Sequence, residues 1–131
     1  MNTTRTTALA LLLLGSVIAP AQAQQPGLQR TDLIQQDIEA PGRQVVQVRV
    51  DFAPGAVSIK HNHPGEEVAY VLEGVLEYRL EGREPVTLTA GQSLFIPSGV
   101  AHVAANVGSV KASELATYVV RKGETLLAPV K

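Results

Sequence analysis

Short runs of alternating apolar and polar residues, separated by glycine and proline turns, fill this chain from residue 44 onward. In the clearest run, residues 44–52, the side chains of Val46, Val48, Val50 and Phe52 share one face, which is the period of a half-buried strand. Further strand-like runs lie at 56–61, 67–72, 75–80, 85–89, 93–96, 101–106 and 114–121. Because no long helical pattern separates these runs, the sequence predicts an all-β sandwich or barrel.

Size and composition indicate a single globular domain with a narrow choice of chemistry. The 131 residues are 45% hydrophobic and 18% charged, and they show no internal repeat or linker that would indicate a second domain. The net charge of −1 lacks the basic excess that nucleic-acid binding requires, so no nucleic-acid partner is expected. Cysteine is absent, which leaves imidazole and carboxylate groups as the side chains suited to a transition metal.

The N-terminus has the three-part pattern of a secretory signal peptide. A segment with one basic residue precedes the apolar run 8–19, and the small residues Ala21 and Ala23 are placed for cleavage. A transmembrane anchor is the alternative, but the apolar run is shorter than the roughly 20 residues that span a bilayer. We therefore expect residues 1–23 to be removed and residues 24–131 to be periplasmic or secreted, without membrane association.

Strand alternation predicts that the side chains of the three histidines point into the barrel and lie close together. His61 and His63 are two residues apart, so on a strand both point to the side of Val57 and Ile59, into the barrel. A proline-glycine turn follows and lets the chain reverse, so that Glu67 on the next strand returns to the same point. Glu66 lies in the turn and is expected to be solvated.

The third histidine, His102, follows the turn at 97–99 and shares a face with Ala104 and Asn106. A lone histidine beside apolar residues is more often a hydrogen-bonded group than a ligand. An interior group of histidines with a glutamate, however, is costly to bury unless a partner such as a divalent cation satisfies it. The pattern therefore favours a metal site.

Two motifs of the chain resemble both signature motifs of the cupin superfamily. The first motif is matched without a gap by Gly55, His61, His63, Glu67 and Gly74. The second motif is matched throughout by Gly91, Pro97, Gly99, His102 and Asn106. The resemblance covers residues 55–106 and implies a small cupin barrel, also called a double-stranded β-helix or jelly roll. It also implies that one divalent metal ion is held by His61, His63, Glu67 and His102.

The resemblance leaves the reaction open because the cupin fold supports many activities. A small quercetin-dioxygenase-like oxidoreductase, acting on a small and partly apolar molecule, is the first hypothesis. A non-catalytic metal-binding or ligand-binding protein of the cell envelope is the second, and an isomerase, lyase or decarboxylase is the third. The ligand types leave Fe, Mn, Ni, Cu and Zn possible, and the catalytic residues are unknown.

Strand alternation also predicts the lining of the pocket. We expect the apolar residues to be Ile59, Val71, Leu94 and Ile96, with Leu76, Tyr78 and Leu80 as further candidates. Beyond the four metal ligands, alternation indicates no inward acid, base or cation, which favours the non-catalytic alternative.

Two strands are apolar on both faces and therefore indicate a partner. Val45, Val68, Tyr70 and Leu72 would point out of the barrel, and a contiguous exposed apolar group indicates an interaction surface. We expect a two-fold homodimer. The polar segment 24–41, predicted to be an extended lead-in with at most a short edge strand or helical turn, would lie on the partner.

Overall fold

The computed structural model describes residues 25–131, which form ten β-strands and no α-helix. The strands are β1 (Leu28–Asp37), β2 (Arg43–Phe52), β3 (His61–Asn62), β4 (Gly65–Glu73), β5 (Val75–Leu80), β6 (Val86–Thr89), β7 (Ser93–Ile96), β8 (His102–Asn106), β9 (Ala112–Arg121) and β10 (Ala128–Pro129). Within these residues, no helix is long and apolar enough to cross a membrane.

The strands form two five-stranded antiparallel sheets, which together make a jelly-roll barrel. One sheet has the order β1-β2-β9-β4-β7 and the other has the order β10-β3-β8-β5-β6. Their inward side chains form one hydrophobic core, whose largest fully buried members include Tyr78, Phe52, Leu76 and Ile96. The prediction of an all-β barrel is confirmed.

Most strands lie where the alternating pattern predicts them, but β1 is much longer than predicted. This ten-residue strand pairs with β2 along nearly its whole length, with a register shift between Asp32 and Ile34. Its last seven residues are exposed, so no apolar alternation marks it in the sequence. Backbone pairing with a neighbouring strand, rather than burial of side chains, defines this element.

The predicted strand at 56–61 is also different in the structure. Only His61 and Asn62 form a strand, and an isolated bridge joins Val57 to Ala105. The prediction that Val57 and Ile59 point inward is wrong, because they are 49% and 43% exposed while Ser58 between them is buried. A bend at Lys60 interrupts the alternation before His61.

A buried asparagine connects three backbone segments at one end of the barrel. The side-chain nitrogen of Asn106 lies 3.1 Å from the carbonyl oxygen of Phe52, 3.2 Å from that of Ala53 and 2.8 Å from that of Val110. Its side-chain oxygen accepts a hydrogen bond of 2.9 Å from the backbone N–H of Gly108. Asn106 therefore fixes the end of β2 against the turn that follows β8.

The outer face of the first sheet carries an exposed apolar patch. It consists of Val68, Tyr70, Leu72, Phe95 and Val119, each between 36% and 54% exposed. These residues lie on the neighbouring strands β9, β4 and β7, and Val68 pairs directly with Phe95. Val68, Tyr70 and Leu72 thus point outward as predicted, whereas Val45 is half-buried.

Candidate metal centre

Four side chains from three strands and one turn meet inside the barrel. His61 on β3 pairs in register with His102 on β8, and their ring centres are 4.4 Å apart. His63 follows β3, and Nε2 of this residue lies 2.9 Å from Oε2 of Glu67 on β4. Nε2 of His102 lies 3.4 Å from the same oxygen. The structure therefore brings together all four residues that the motifs single out, and each is buried.

Backbone carbonyl groups determine which nitrogen of each ring faces the centre. Nδ1 of His61 lies 2.8 Å from the carbonyl oxygen of Ile59, and Nδ1 of His102 lies 3.0 Å from that of Val100. Nδ1 of His63 lies 2.6 Å from the carbonyl oxygen of Leu126. Because a carbonyl oxygen can only accept, each Nδ1 carries a hydrogen, and in the neutral form of each ring Nε2 keeps a lone pair.

Two atoms at the centre have no hydrogen-bond partner of acceptable geometry. They are Nε2 of His63 and Oε2 of Glu67, and both are buried from solvent. Orphaned buried polar atoms are rare and call for an unseen partner. Three imidazole lone pairs and one carboxylate are a donor set that divalent transition metals accept, so these residues fit such an ion.

The electrostatics of the cluster also suit a cation. Burial lowers the pKa of the His61 imidazole to about 4, so this ring is neutral near neutral pH. Burial alone would raise the pKa of Glu67, but the close imidazole groups of His102 and His63 outweigh this effect and lower the pKa to about 2. The cluster thus holds a carboxylate anion together with at least one neutral imidazole.

A cavity of about 280 Å³ opens beside three of the four residues, His61, Glu67 and His102. Of the seven apolar residues predicted to line it, only Tyr78 does so. Its apolar walls come instead from Leu28, Val50, Phe52, Ala104 and Leu127. The predicted lining is therefore wrong. Ile59 points outward, and Val71, Leu76 and Ile96 are buried in the core away from the cavity, because alternation predicts the face of a strand but not the position along the barrel axis.

The prediction that no further acid, base or cation points inward is also wrong. Glu114, Tyr118, Ser58 and Arg30 line the cavity together with the cluster. Glu114 is 6% exposed and shares the inward face of β9 with Ala116, Tyr118 and Val120. The same alternation that placed Glu67 could therefore have found Glu114, whereas Arg30 lies on β1, for which the sequence shows no pattern.

The sequence of this chain matches a protein-family model and several curated proteins. Residues 48–121 match the family model described as "Cupin domain". Germin-like protein 1-1 of Oryza sativa subsp. japonica is 35% identical over 79 residues, which are 56% of this chain and 37% of that protein. Oxalate oxidase GF-2.8 of Triticum aestivum is 33% identical over 91 residues, which are 61% of this chain and 41% of that protein. The chain thus spans less than half the length of these curated relatives.

Solved structures show the same fold. An oxalate oxidase in complex with the substrate analogue glycolate superposes with a TM-score of 0.64 at 27% identity, covering 78% of this chain and 55% of that chain. A cupin superfamily protein of Desulfitobacterium hafniense DCB-2 superposes with a TM-score of 0.61 at 18% identity, covering 76% and 84% of the two chains. The second likeness concerns the fold alone.

Proposed function

Because this chain belongs to the cupin family, we propose that it is a metal-dependent oxidoreductase that acts on a small molecule beside a metal held by His61, His63, Glu67 and His102. The observation that carries the proposal is the convergence of three Nε2 lone pairs with a buried carboxylate whose Oε2 atom has no hydrogen-bond partner. Such a site suits one divalent ion of Fe, Mn, Ni, Cu or Zn.

A metal bound there would supply Lewis acidity and, for a redox-active ion, an electron acceptor. The chain's own residues supply the surroundings. Backbone carbonyls orient the three imidazoles, and Val50, Phe52 and Leu127 form apolar walls of the cavity. Glu114 and Arg30 add an acid and a cation near the bound molecule, which a non-catalytic binding site does not need.

The comparisons support this class of reaction but leave the substrate of this chain open. Oxalate oxidases of wheat and barley are among the curated relatives. The cavity of about 280 Å³ admits only a small molecule. We therefore propose a small substrate that carries oxygen donors and is partly apolar.

Elemental analysis together with dioxygen uptake tests the proposal. We expect the protein purified from its native compartment to hold about one transition metal ion per chain. Dioxygen should be consumed when small hydroxy acids, dicarboxylates and phenols are supplied. Tightly held Zn without any dioxygen uptake would instead support the alternative of a non-catalytic binding protein. A protein that takes up no metal after reconstitution would contradict both the oxidoreductase and the metal-binding alternative.

We also propose that the exposed apolar patch is the interface of a two-fold homodimer, in which one patch meets a second copy of itself. Light scattering should then report twice the mass of one chain. Tyr70→Lys, which places a charge in the patch, should shift the protein toward the monomer, whereas Arg79→Lys on the other sheet should not. A monomer at micromolar concentration in the unaltered protein would contradict the proposal.

Export stays a prediction as well. The segment 1–23 lies outside the described residues, so cleavage after Ala23 and a periplasmic or secreted location rest on the sequence pattern alone. N-terminal sequencing of the exported protein would test the cleavage site.

A further inference from the structure

Glu114 is a buried acid that the four-residue cluster does not use. It stands on the inward face of β9, is 6% exposed and lines the same cavity as His61, Glu67 and His102. The residues paired with it on the two neighbouring strands are Val50 and Val71, which are apolar and buried. Burial of a carboxyl group among apolar neighbours is costly and therefore calls for a function.

One polar contact holds Glu114 in place. The hydroxyl group of Tyr78, which is 1% exposed on β5 of the opposite sheet, donates a hydrogen bond of 2.5 Å to Oε2 of Glu114. Within residues 25–131, no lysine or arginine forms an ion pair with this carboxyl group. The charged and titratable groups that act on it from other strands are Tyr78, Glu67, His102 and Arg30.

These surroundings keep both protonation states of Glu114 within reach near neutral pH. Burial, followed by repulsion from Glu67, raises the pKa of Glu114 to about 8, although the hydrogen bond from Tyr78 and the positive charges nearby oppose the rise. An acid or base that transfers protons works best when its pKa lies near the working pH. Glu67 does not meet this condition, because its pKa is lowered to about 2.

We propose that Glu114 exchanges a proton with a hydroxyl or phenol oxygen of a small molecule bound in the cavity, with Tyr78 as its positioning residue. In this step the O–H bond of the ligand breaks, its electron pair stays on the ligand oxygen, and an O–H bond forms on the carboxylate of Glu114. The reverse step returns the proton. The inference rests on the proposed function in one respect, namely that the cavity beside the cluster is where the ligand binds.

Calorimetric titration of the metal-loaded protein tests the exchange, with catechol and glycolate as probes. Measurements in buffers of different ionisation enthalpy report how many protons each binding event releases. Above the pKa of Glu114, where this carboxyl group is ionised, the unaltered protein should release about one proton fewer than Glu114→Gln. Below that pKa the two proteins should release equal numbers. The hydrogen bond from Tyr78 lowers the pKa of Glu114. Tyr78→Phe removes this bond and should therefore raise the pKa and move the transition to higher pH.

Two controls separate this inference from the proposed function. Glu73→Gln, at a half-buried carboxyl that pairs with Arg49 outside the cavity, should behave like the unaltered protein. Elemental analysis should find the same metal content in Glu114→Gln. Equal proton release by Glu114→Gln and the unaltered protein at every pH would overturn the inference while leaving the metal site intact. Failure of both probes to bind would overturn the stated ligand class. Absence of metal from the unaltered protein would overturn the proposed function. The ultraviolet spectrum of catechol bound to the metal-free protein, which distinguishes a phenol from a phenolate, would then still test the proton transfer to Glu114.

Discussion

The double substitution His61→Ala/His102→Ala is expected to abolish metal binding, leaving less than about a tenth of the metal content of the unaltered protein. The two rings form the in-register pair between β3 and β8, and their ring centres are 4.4 Å apart. Removing them would take away two of the three nitrogen lone pairs that converge at the centre. Each single substitution, including His63→Ala, should weaken the affinity by about 100-fold or more, since even residues that only support ligands contribute 10- to 100-fold.

Thermal unfolding with and without added metal gives a second readout. A ligand at about 100 times its Kd stabilises the folded state by about 2.7 kcal/mol, so metal should raise the Tm of the unaltered protein. The double variant should show no rise, and this difference is independent of its metal-free stability. Full metal occupancy in the double variant would show that the four residues are not the site.

Adjacent glutamates offer a matched pair for the anionic ligand. Glu67 is buried at the centre, whereas Glu66 is half-buried and contacts Arg43 at 3.7 Å. Glu67→Gln should lower the metal affinity because it removes the carboxylate charge, and Glu66→Gln should leave the affinity unchanged. Equal losses in the two variants would mean that the wrong glutamate has been assigned.

Asn106→Ala is expected to lower the free energy of unfolding by about 3 kcal/mol. The substitution would leave the backbone N–H of Gly108 and the carbonyl groups of Phe52 and Val110 without the amide that now satisfies them. Asn106 is 2% exposed, so water cannot easily take its place. For a domain of this size, the loss corresponds to a fall in Tm of about 10 to 15 °C.

Asn62→Ala is the matched control for that substitution. The amide of Asn62 is only half-buried and makes one long contact of 3.4 Å with the carbonyl oxygen of Gly99. Asn62→Ala should lower the free energy of unfolding by less than about 1 kcal/mol. Denaturant unfolding of the metal-free proteins measures this change. Equal losses at the two positions would contradict the structural role assigned to Asn106.

The sequence predicts most of the strands because alternation depends on local spacing. The two motifs single out four residues that lie together in the structure, and their binding of a metal stays a prediction. Alternation over 44–52 and 67–72 sets which face is buried, and the motif spacing brings His61, His63 and Glu67 together across one turn. The strands at 75–80 and 93–96 have the predicted bounds. The alternating period predicts the bounds and the buried face of a strand wherever the strand is regular and uninterrupted.

Features that depend on the three-dimensional path of the chain could not be predicted in this way. β1 owes its length to pairing with β2 and carries no pattern of its own. A bend at Lys60 reverses the predicted burial of Ile59. Glu114 is the exception, since its inward position follows from the strand alternation of β9 even though acids are seldom buried.

The hydrogen bond between Nδ1 of His63 and the carbonyl oxygen of Leu126 connects the cluster to a distant part of the chain. The same C-terminal segment forms β10 on β3, and Leu127 lines the cavity. Whatever binds Nε2 of His63 therefore also favours the docked state of this segment, by thermodynamic linkage. Protection of the C-terminal backbone from proteases and from hydrogen exchange would then serve as a reporter of site occupancy. A C-terminal fusion that prevents docking of this segment would therefore weaken binding at the site, although it changes none of the four residues.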